Sequence, residues 1–189
     1  GNSVRNYVNT VHRYNCLAFI QFTCDGGPAP DGPRFGPGKG LGPAARRYDN
    51  GCEVIEMTRE DMDRIKADYV KCITRAQRYG VDGCIIHAGH GKLLDQFRAP
   101  DCNDRTDEYG GELKNRLRFT IECLQQIKEQ AGEDFPVIIK YTANHHMEGG
   151  RELSEGVEMA KLFEEAGADA LHVDGGCIDL WYKQIPSVY

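Results

Sequence analysis

The sequence predicts an α/β fold built on a parallel sheet, and three observations lead to that prediction. Apolar, β-rich runs alternate with amphipathic helical patterns along the 189 residues. Single helices separate the strands, which implies right-handed crossovers between parallel neighbours. Polar residues stand at the carboxyl ends of several strands, as they do in (β/α)8 barrels. A doubly wound sheet also fits the alternation, and it is these polar strand ends that favour the barrel.

The first third of the chain predicts a helix, a strand, a long loop and a second helix. Residues 3–14 carry three valines on one helical face, namely Val4, Val8 and Val11. The apolar run 17–22 predicts a strand. Residues 24–52 hold five of the eight prolines, which indicates a loop. Thr58, with Asp61 three residues later, is typical of a capped helix start, and apolar residues at helical spacing follow it.

The remainder of the chain alternates more regularly. Apolar runs predict strands over 83–87, 137–141 and 170–173. Helical spacing predicts a helix over 112–131 and another that begins at the N-cap Ser154. Residues 88–111 between these elements are predicted to be a loop.

Polar residues end three of the predicted strands, and each follows an apolar residue two positions earlier. The polar residues are Gln21, His87 and Lys140, and the apolar ones are Phe19, Ile85 and Ile138. Because alternate side chains of a strand share a face, each polar residue continues an inward-facing apolar row. We therefore expect the three to meet at one rim of a barrel; the alternative is that they simply face water.

Composition narrows the class of protein. The chain is 40% hydrophobic and 28% charged with a net charge of −6, which is typical of a globular domain. An acidic chain without a run of Lys and Arg argues against nucleic acid or an anionic membrane as partner. No apolar run is long enough for a transmembrane helix, and no basic-apolar leader opens the chain. The first residue is Gly1 rather than Met, so we expect a cut end there.

Eight cysteines are present, and no two lie closer than eight residues apart. That spacing excludes a CxxC clip, so no metal site is predicted. We expect reduced thiols in a cytoplasmic protein. Neither a GxGxxG turn after a strand nor a GxxxxGK[ST] loop occurs, so a dinucleotide fold or a P-loop has no support.

The segment most suggestive of chemistry is HAGHGKLLDQF, residues 87–97. His87 and His90 would point to opposite faces of a straight strand, but Gly89 and Gly91 allow the chain to bend. Both imidazoles can then face one pocket, where two N–H groups would stabilise negative charge on one oxygen. The alternatives are a zinc pair without its third ligand and unrelated polar residues of a loop.

A second dense segment, NDRTDEYGGELKNRLRF, covers residues 103–119. Ordering a long charged loop costs entropy, so we expect Arg105, Asp107 and Arg116 to hold it through ion pairs or hydrogen bonds. Together the two segments resemble the signature of the Old Yellow Enzyme family of FMN flavoproteins, especially its bacterial 2,4-dienoyl-CoA reductase and enoate reductase branch. The resemblance continues through Asp134–Lys140 and 148–150 to Ala168–Gly176, and it covers nearly the whole chain.

This resemblance implies an FMN-dependent (β/α)8 TIM barrel. NADH or NADPH would reduce the flavin, which would pass hydride to the β-carbon of an activated alkene in an enone, enoate or enoyl-CoA. His87 and His90 match the pair that binds the substrate carbonyl oxygen. Gln21 matches a glutamine at the flavin pyrimidine edge, and Lys140 stands where an arginine beside flavin N1 and O2 is usual.

Three departures from the family pattern affect these assignments. Lys92 replaces a tyrosine that donates a proton to the substrate α-carbon, so it is a candidate proton donor only with a tuned pKa; otherwise it is a solvated lysine. The family pattern QLxHxGR, which begins at Gln21, lacks its His and Arg in this sequence. Cys24 stands within this segment, and it either lies near the flavin or is inert. Asp174 stands where a small hydroxyl residue is common.

By the resemblance, residues 1–189 form one domain that holds only barrel strands three to six, an incomplete barrel of about four βα units. The FMN phosphate loops, and any iron–sulfur cluster, would lie in a missing C-terminal part. We expect a fragment of a longer enzyme, or a sheet completed by further segments or by a second copy. A flavin dehydrogenase or demethylase on this scaffold, and an inactive remnant without flavin, are the alternatives to an ene-reductase.

Overall fold

The computed structural model describes residues 2–26, 39–47, 51, 53–146 and 150–176. The main sheet is parallel and has the order β1-β5-β6-β7, with strands Phe19–Phe22, Gly83–Ala88, Val137–Asn144 and Ala170–Gly175. The helices are α1 Asn2–His12, α2 Arg59–Gln77, α3 Leu93–Arg98, α4 Leu113–Ala131 and α5 Leu153–Glu165. Each strand of this sheet lies beside its predecessor. A doubly wound sheet would reverse its order, so the order agrees with a segment of a barrel.

The two faces of this sheet are packed differently. Helices cover the outer face, where the strand residues Cys84, Ile86, Ala88, Val137 and Ile139 are completely buried. The inner face carries Phe19, Ile85 and Ile138, which are only half-buried. The apolar positions predicted to face inward therefore lie on the face that the helices leave open.

The predicted helix boundaries near the amino-terminal half are mostly confirmed. Val8 of α1 is buried, and Val4 and Val11 pack beside it. At the start of α2, Thr58 accepts a hydrogen bond from the Asp61 amide, and the Asp61 side chain accepts one from the Thr58 amide. This reciprocal capping box satisfies backbone N–H groups that the first helical turn leaves unpaired.

Aspartates that precede two strands fasten the amino-terminal rim of the sheet. Asp82, just before β5, accepts a hydrogen bond from the Ala18 amide at 2.6 Å. Asp169, just before β7, accepts one from the Val137 amide at 2.7 Å. Both carboxylates tie the start of a neighbouring strand, so this rim carries structural contacts while the opposite rim is left for a site.

The predicted loop over 24–52 was wrong in part. It contains two short strands, β2 Lys39–Gly42 and β3 Arg46–Arg47, which flank β4 Glu53–Glu56 in a second sheet of order β2-β4-β3. Glycine- and arginine-rich strands of four and two residues show no alternation of apolar and polar residues. Their pairing with β4, rather than their own β-propensity, defines them.

Two further boundaries also differ from the predictions. The predicted loop over 88–111 contains α3, all six residues of which are buried. A helix buried on every side has no amphipathic pattern to reveal it. The N-cap of α5 is Glu152 rather than Ser154, and no side chain caps this helix.

The charged loop after α3 is held as predicted. Arg105 donates to the carbonyl oxygens of Pro43 and Met57 at 2.9 and 3.0 Å, and it pairs with Asp107 at 2.6 Å. Arg116 donates to the Gly111 carbonyl at 3.0 Å. These contacts tie the loop to the second sheet and to α4.

No helix in the described part of the chain has the length and apolar character needed to cross a membrane.

Candidate active site

The strand register brings the predicted polar residues to one face and one rim of the main sheet. His87 pairs in register with Lys140, and Lys140 pairs with His172 on β7. Gln21 pairs with Ile85, which lies two residues before His87. Residues paired in register point to the same side of a sheet, as do residues two apart in a strand. The inward placement predicted for Gln21, His87 and Lys140 is therefore confirmed.

A sharp bend after β5 brings the two histidines together. His90 and Gly91 adopt positive φ angles of 55° and 74°, in the left-handed region. Gly89 packs so tightly on β6 that an added Cβ would lie 2.8 Å from the Thr142 Oγ1. The His90 amide donates to that same oxygen at 3.2 Å. The glycines thus permit the bend, as the sequence predicted.

The two imidazoles contact each other in the bend. His87 Nε2 lies 3.1 Å from His90 Nδ1, and the ring centroids are 5.3 Å apart. Burial lowers the pKa of His87 to about 4, and the charges of His90, Lys140 and Lys92 add to the effect. Burial also lowers the pKa of His90, although Asp174 opposes the shift. At neutral pH both rings are therefore neutral, and each keeps one N–H donor.

Asp174 on β7 lies between the histidine pair and the lysine. Its Oδ2 is 3.1 Å from Lys140 Nζ and 3.3 Å from His90 Nε2. Burial would raise the pKa of this carboxyl, but the Gly175 amide, Lys140 and His90 lower it overall. The rim therefore holds an ionised carboxylate where the family resemblance led us to expect a small hydroxyl residue.

A buried charge cluster centred on Asp95 is hydrogen-bonded to the histidine bend. Asp95 accepts a hydrogen bond from the Gly91 amide at 2.8 Å and pairs with Arg98 at 2.6 Å and Arg151 at 3.2 Å. Arg98 also donates to the Ala88 carbonyl at the end of β5. Although burial opposes ionisation, Arg98, His145 and Arg151 hold the pKa of Asp95 well below its usual range.

Sequence reasoning missed this Asp95 cluster. The one available signal was a charged pair, Asp95 and Arg98, next to the apolar residues Leu93, Leu94 and Phe97. A buried charge needs a partner of opposite sign, so such a pair indicates an internal ion pair. Arg151 is remote in sequence and gave no signal.

Lys92 lies at the start of α3 and reaches toward the first strand. Its Nζ donates to the Asp25 Oδ1 at 2.5 Å. Gln96 reinforces the same junction, because its Nε2 donates to the Asp25 carbonyl at 3.3 Å and to the Gly91 carbonyl at 2.8 Å. Lys92 thus links the segments that follow β1 and β5, and its role as proton donor stays a prediction.

The donor groups on the inner face fit the ring of a flavin. Gln21 is exposed and offers both a hydrogen-bond donor and an acceptor, as the polar edge of the ring requires. Lys140 supplies a cation, which suits a ring that becomes anionic when reduced. The half-buried Ile85 and Ile138 supply apolar surface next to these groups. Among the residues the structure describes, no cluster of three His, Cys, Asp or Glu side chains could hold a metal ion.

Comparison with known proteins identifies the family. A model of the NADH:flavin oxidoreductase / NADH oxidase family matches residues 2–184. The chain belongs to this family. Membership in the NADH:flavin oxidoreductase family supports FMN and a reduced nicotinamide as the cofactors, and it agrees with the donor groups on the inner face.

Individual members of the family confirm the resemblance drawn from the sequence. The cinnamate reductase of Clostridium sporogenes is 36% identical over 196 residues, which covers 95% of this chain and 29% of that protein. The solved structure of Old Yellow Enzyme from Pichia sp. AKU4542 superposes with a TM-score of 0.69 at 25% identity, covering 87% of this chain and 46% of that one.

The fold is confirmed by a second solved structure. A 2-naphthoyl-CoA reductase complex superposes with a TM-score of 0.81 at 24% identity over 93% of this chain and 29% of that one. The prediction of an incomplete barrel agrees with these coverages. The chain spans between 18% and 50% of the length of the curated relatives it matches.

Proposed function

We propose that this chain is part of an FMN-dependent oxidoreductase that uses NADH or NADPH to reduce an activated C=C bond of an enone, enoate or enoyl-CoA. The observation that carries the proposal is the pair of neutral imidazoles, 3.1 Å apart, at the carboxyl rim of the sheet beside Lys140. The similarity to a cinnamate reductase supports an unsaturated acid as substrate.

The histidine pair is assigned to the substrate. N–H groups of His87 and His90 would donate to the carbonyl oxygen of the substrate and stabilise the negative charge that develops there. This polarisation makes the β-carbon more electrophilic. Because burial lowers the pKa of both rings, each is a weak base at pH 7 and acts as a hydrogen-bond donor rather than as an acceptor of the proton that the product needs.

Gln21 and Lys140 are assigned to the flavin. FMN, when bound, supplies the hydride transfer. Gln21 would hydrogen-bond the pyrimidine edge of the ring, and Lys140 would place a positive charge beside it. A lysine keeps the charge of the arginine usual in the family but not its two-pronged hydrogen bonding, so it stabilises the anionic ring as a point charge.

The assignment of the histidine pair is tested with His87→Ala plus His90→Ala in the FMN-loaded protein. We expect the charge-transfer band with a phenol to weaken and kcat/KM for alkene reduction to fall about 100-fold, because two donors are lost. His12→Ala is the control, since His12 pairs with Asp82 at the opposite rim. Unchanged turnover in the double variant would remove the assigned role.

Lys92 is assigned to proton delivery to the α-carbon, with Asp25 holding its ammonium group. Lys92→Met should slow the reoxidation of reduced flavin by an alkene while leaving flavin reduction by NAD(P)H unchanged. Stopped-flow absorbance separates these two steps. Equal rates in Lys92→Met and the unmodified protein would show that Lys92 only links the two segments.

FMN uptake tests the alternative of a remnant that binds no flavin. Flavin absorption near 450 nm that survives removal of free FMN would support the proposed function, and its absence after reconstitution would support the remnant. Four further features stay predictions. They are a small-molecule substrate, a cytoplasmic location, completion of the barrel by further segments or a second copy, and an iron–sulfur cluster in a C-terminal part.

A further inference from the structure

We propose that Asp174 is a positioning residue that contacts both His90 and Lys140 through one carboxylate oxygen, so that the substrate side and the flavin side of the site share one negative charge. The roles of the two partners rest on the proposed function. The shared contact itself rests on the geometry of the rim, which the family resemblance did not lead us to expect.

The carboxylate is fixed in place by its strand. Asp174 stands opposite Thr142 on the neighbouring strand β6, two residues beyond Lys140. Its Oδ1 accepts a hydrogen bond from the Gly175 amide at 2.9 Å, which leaves Oδ2 for the two partners. Oδ2 is 3.1 Å from Lys140 Nζ and 3.3 Å from His90 Nε2, and the Asp174 side chain is 22% exposed. Partial burial limits the screening of both pairs by water.

The contact between Asp174 and His90 influences which ring nitrogen of His90 carries the proton. His90 is surrounded by His87 on β5, Lys140 on β6, Asp95 on α3 and Asp174 on β7. A carboxylate beside Nε2 favours the tautomer with its proton on Nε2. Without substrate, His90 Nδ1 can then accept the N–H of His87, and a bound carbonyl oxygen would replace Nδ1 as the acceptor of that N–H. His90 Nε2 is buried and makes no aligned hydrogen bond, so Asp174 acts on it mainly through its charge.

The contact between Asp174 and Lys140 would affect the midpoint potential of a bound flavin. A negative charge beside Lys140 partly cancels the positive charge that the lysine brings to the ring. The anionic reduced ring is then stabilised less than by an unpaired lysine. Removal of the Asp174 charge should therefore shift the flavin midpoint potential to a more positive value.

The His90 contact is tested by NMR titration of the histidine rings in the flavin-free protein. Asp174→Asn removes the charge at nearly constant shape, so the midpoint of the His90 titration should move to lower pH. Asp174→Glu keeps the charge and should restore part of the midpoint. His12 provides an internal control, because its partner Asp82 is at the other rim. A His90 midpoint that is unchanged in Asp174→Asn would overturn the proposal.

The Lys140 contact is tested by dye-equilibrium potentiometry of the FMN-loaded protein. Asp174→Asn and Asp174→Ser should both show a more positive midpoint potential than the unmodified protein. An unchanged potential in both variants would overturn the proposed effect of Asp174 on the flavin side. If the unmodified protein binds no FMN, the proposed function fails, while the flavin-free titration of His90 still decides whether Asp174 acts on that ring.

Discussion

The charge state of the histidine pair follows from its surroundings. Burial removes the water that would solvate an imidazolium, and nearby cations add repulsion, so the pKa of His87 falls to about 4. Asp174 limits the corresponding shift of His90. Two residues of the same type, three positions apart, therefore have different electrostatic neighbours. His90 lies beside the Asp174 carboxylate, whereas His87 lies beside His90.

The lowered pKa of His87 predicts a pH dependence of stability. Between about pH 6.5 and 4 the unfolded chain binds a proton at His87 that the folded chain does not. The free energy of unfolding is therefore highest above pH 6.5 and falls as the pH drops toward 4, by on the order of 3 kcal/mol from this residue. His87→Asn should flatten that slope in urea titrations at several pH values. An identical slope in the variant would contradict the assignment.

Buried charges in α3 connect helix packing to the geometry of the site. Asp95 is 2% exposed and accepts a hydrogen bond from the Gly91 amide, so the histidine bend depends on a buried charge in α3. Arg98 and Arg151 are also fully buried and face the same carboxylate. Removal of the negative charge would leave Arg98 without its paired carboxylate and Arg151 with Glu155 alone.

Asp95→Asn should therefore destabilise the fold by about 3–5 kcal/mol, the typical cost of leaving a buried charge unpaired. Urea denaturation at pH 7 measures this change. Glu158→Gln is the matched control, because Glu158 forms an exposed pair with Lys161 at 2.7 Å and such pairs contribute about 0–1 kcal/mol. Equal midpoints for the two variants would show that the Asp95 cluster does not stabilise the fold.

The starts of α2 and α5 offer a contrast between a capped and an uncapped helix. Thr58→Ala removes a side-chain cap and should cost about 1 kcal/mol of unfolding free energy. Ser154→Ala should cost almost nothing, because Ser154 lies inside the first turn of α5 and caps nothing. Thermal or urea denaturation of both variants tests the pair, and a larger loss for Ser154→Ala would contradict the observed boundary.

At the scale of the whole molecule, the described helices cover only one face of the main sheet. Within the described residues, β1 and β7 each have a strand neighbour on a single side. Val173 on β7 is 58% exposed although it points to the outer face, where helices cover the other strands. Open strand edges and apolar surface favour association between molecules.

We expect the 189-residue polypeptide, expressed alone, to self-associate through this sheet. Val173→Lys should weaken the association, because it places a charge on the uncovered strand. Tyr14→Lys is the control, since Tyr14 is 78% exposed but lies in the turn after α1 rather than in a strand. Sedimentation velocity over a concentration series measures the effect. Equal association of the two variants would contradict the assignment to β7.

Much of the site could be predicted from local patterns. Alternation along single strands placed Gln21, His87 and Lys140 on one face, and the glycines around His90 predicted the bend. Both signals are local, because side-chain direction in a strand and freedom at positive φ depend on a residue and its immediate neighbours. The capping box at Thr58 was predictable for the same reason.

Contacts between distant segments could not be predicted in this way. β2 and β3 exist because β4 pairs with them, and α3 is a helix buried on every side, so neither shows a periodic pattern. Arg151 meets Asp95 across 56 positions, and Asp174 meets His90 across two strand crossovers. The chain's local chemistry therefore specified the strands and their polar ends. Their partners depend on packing, because the energy of a buried charge is set by whichever distant residue folds against it.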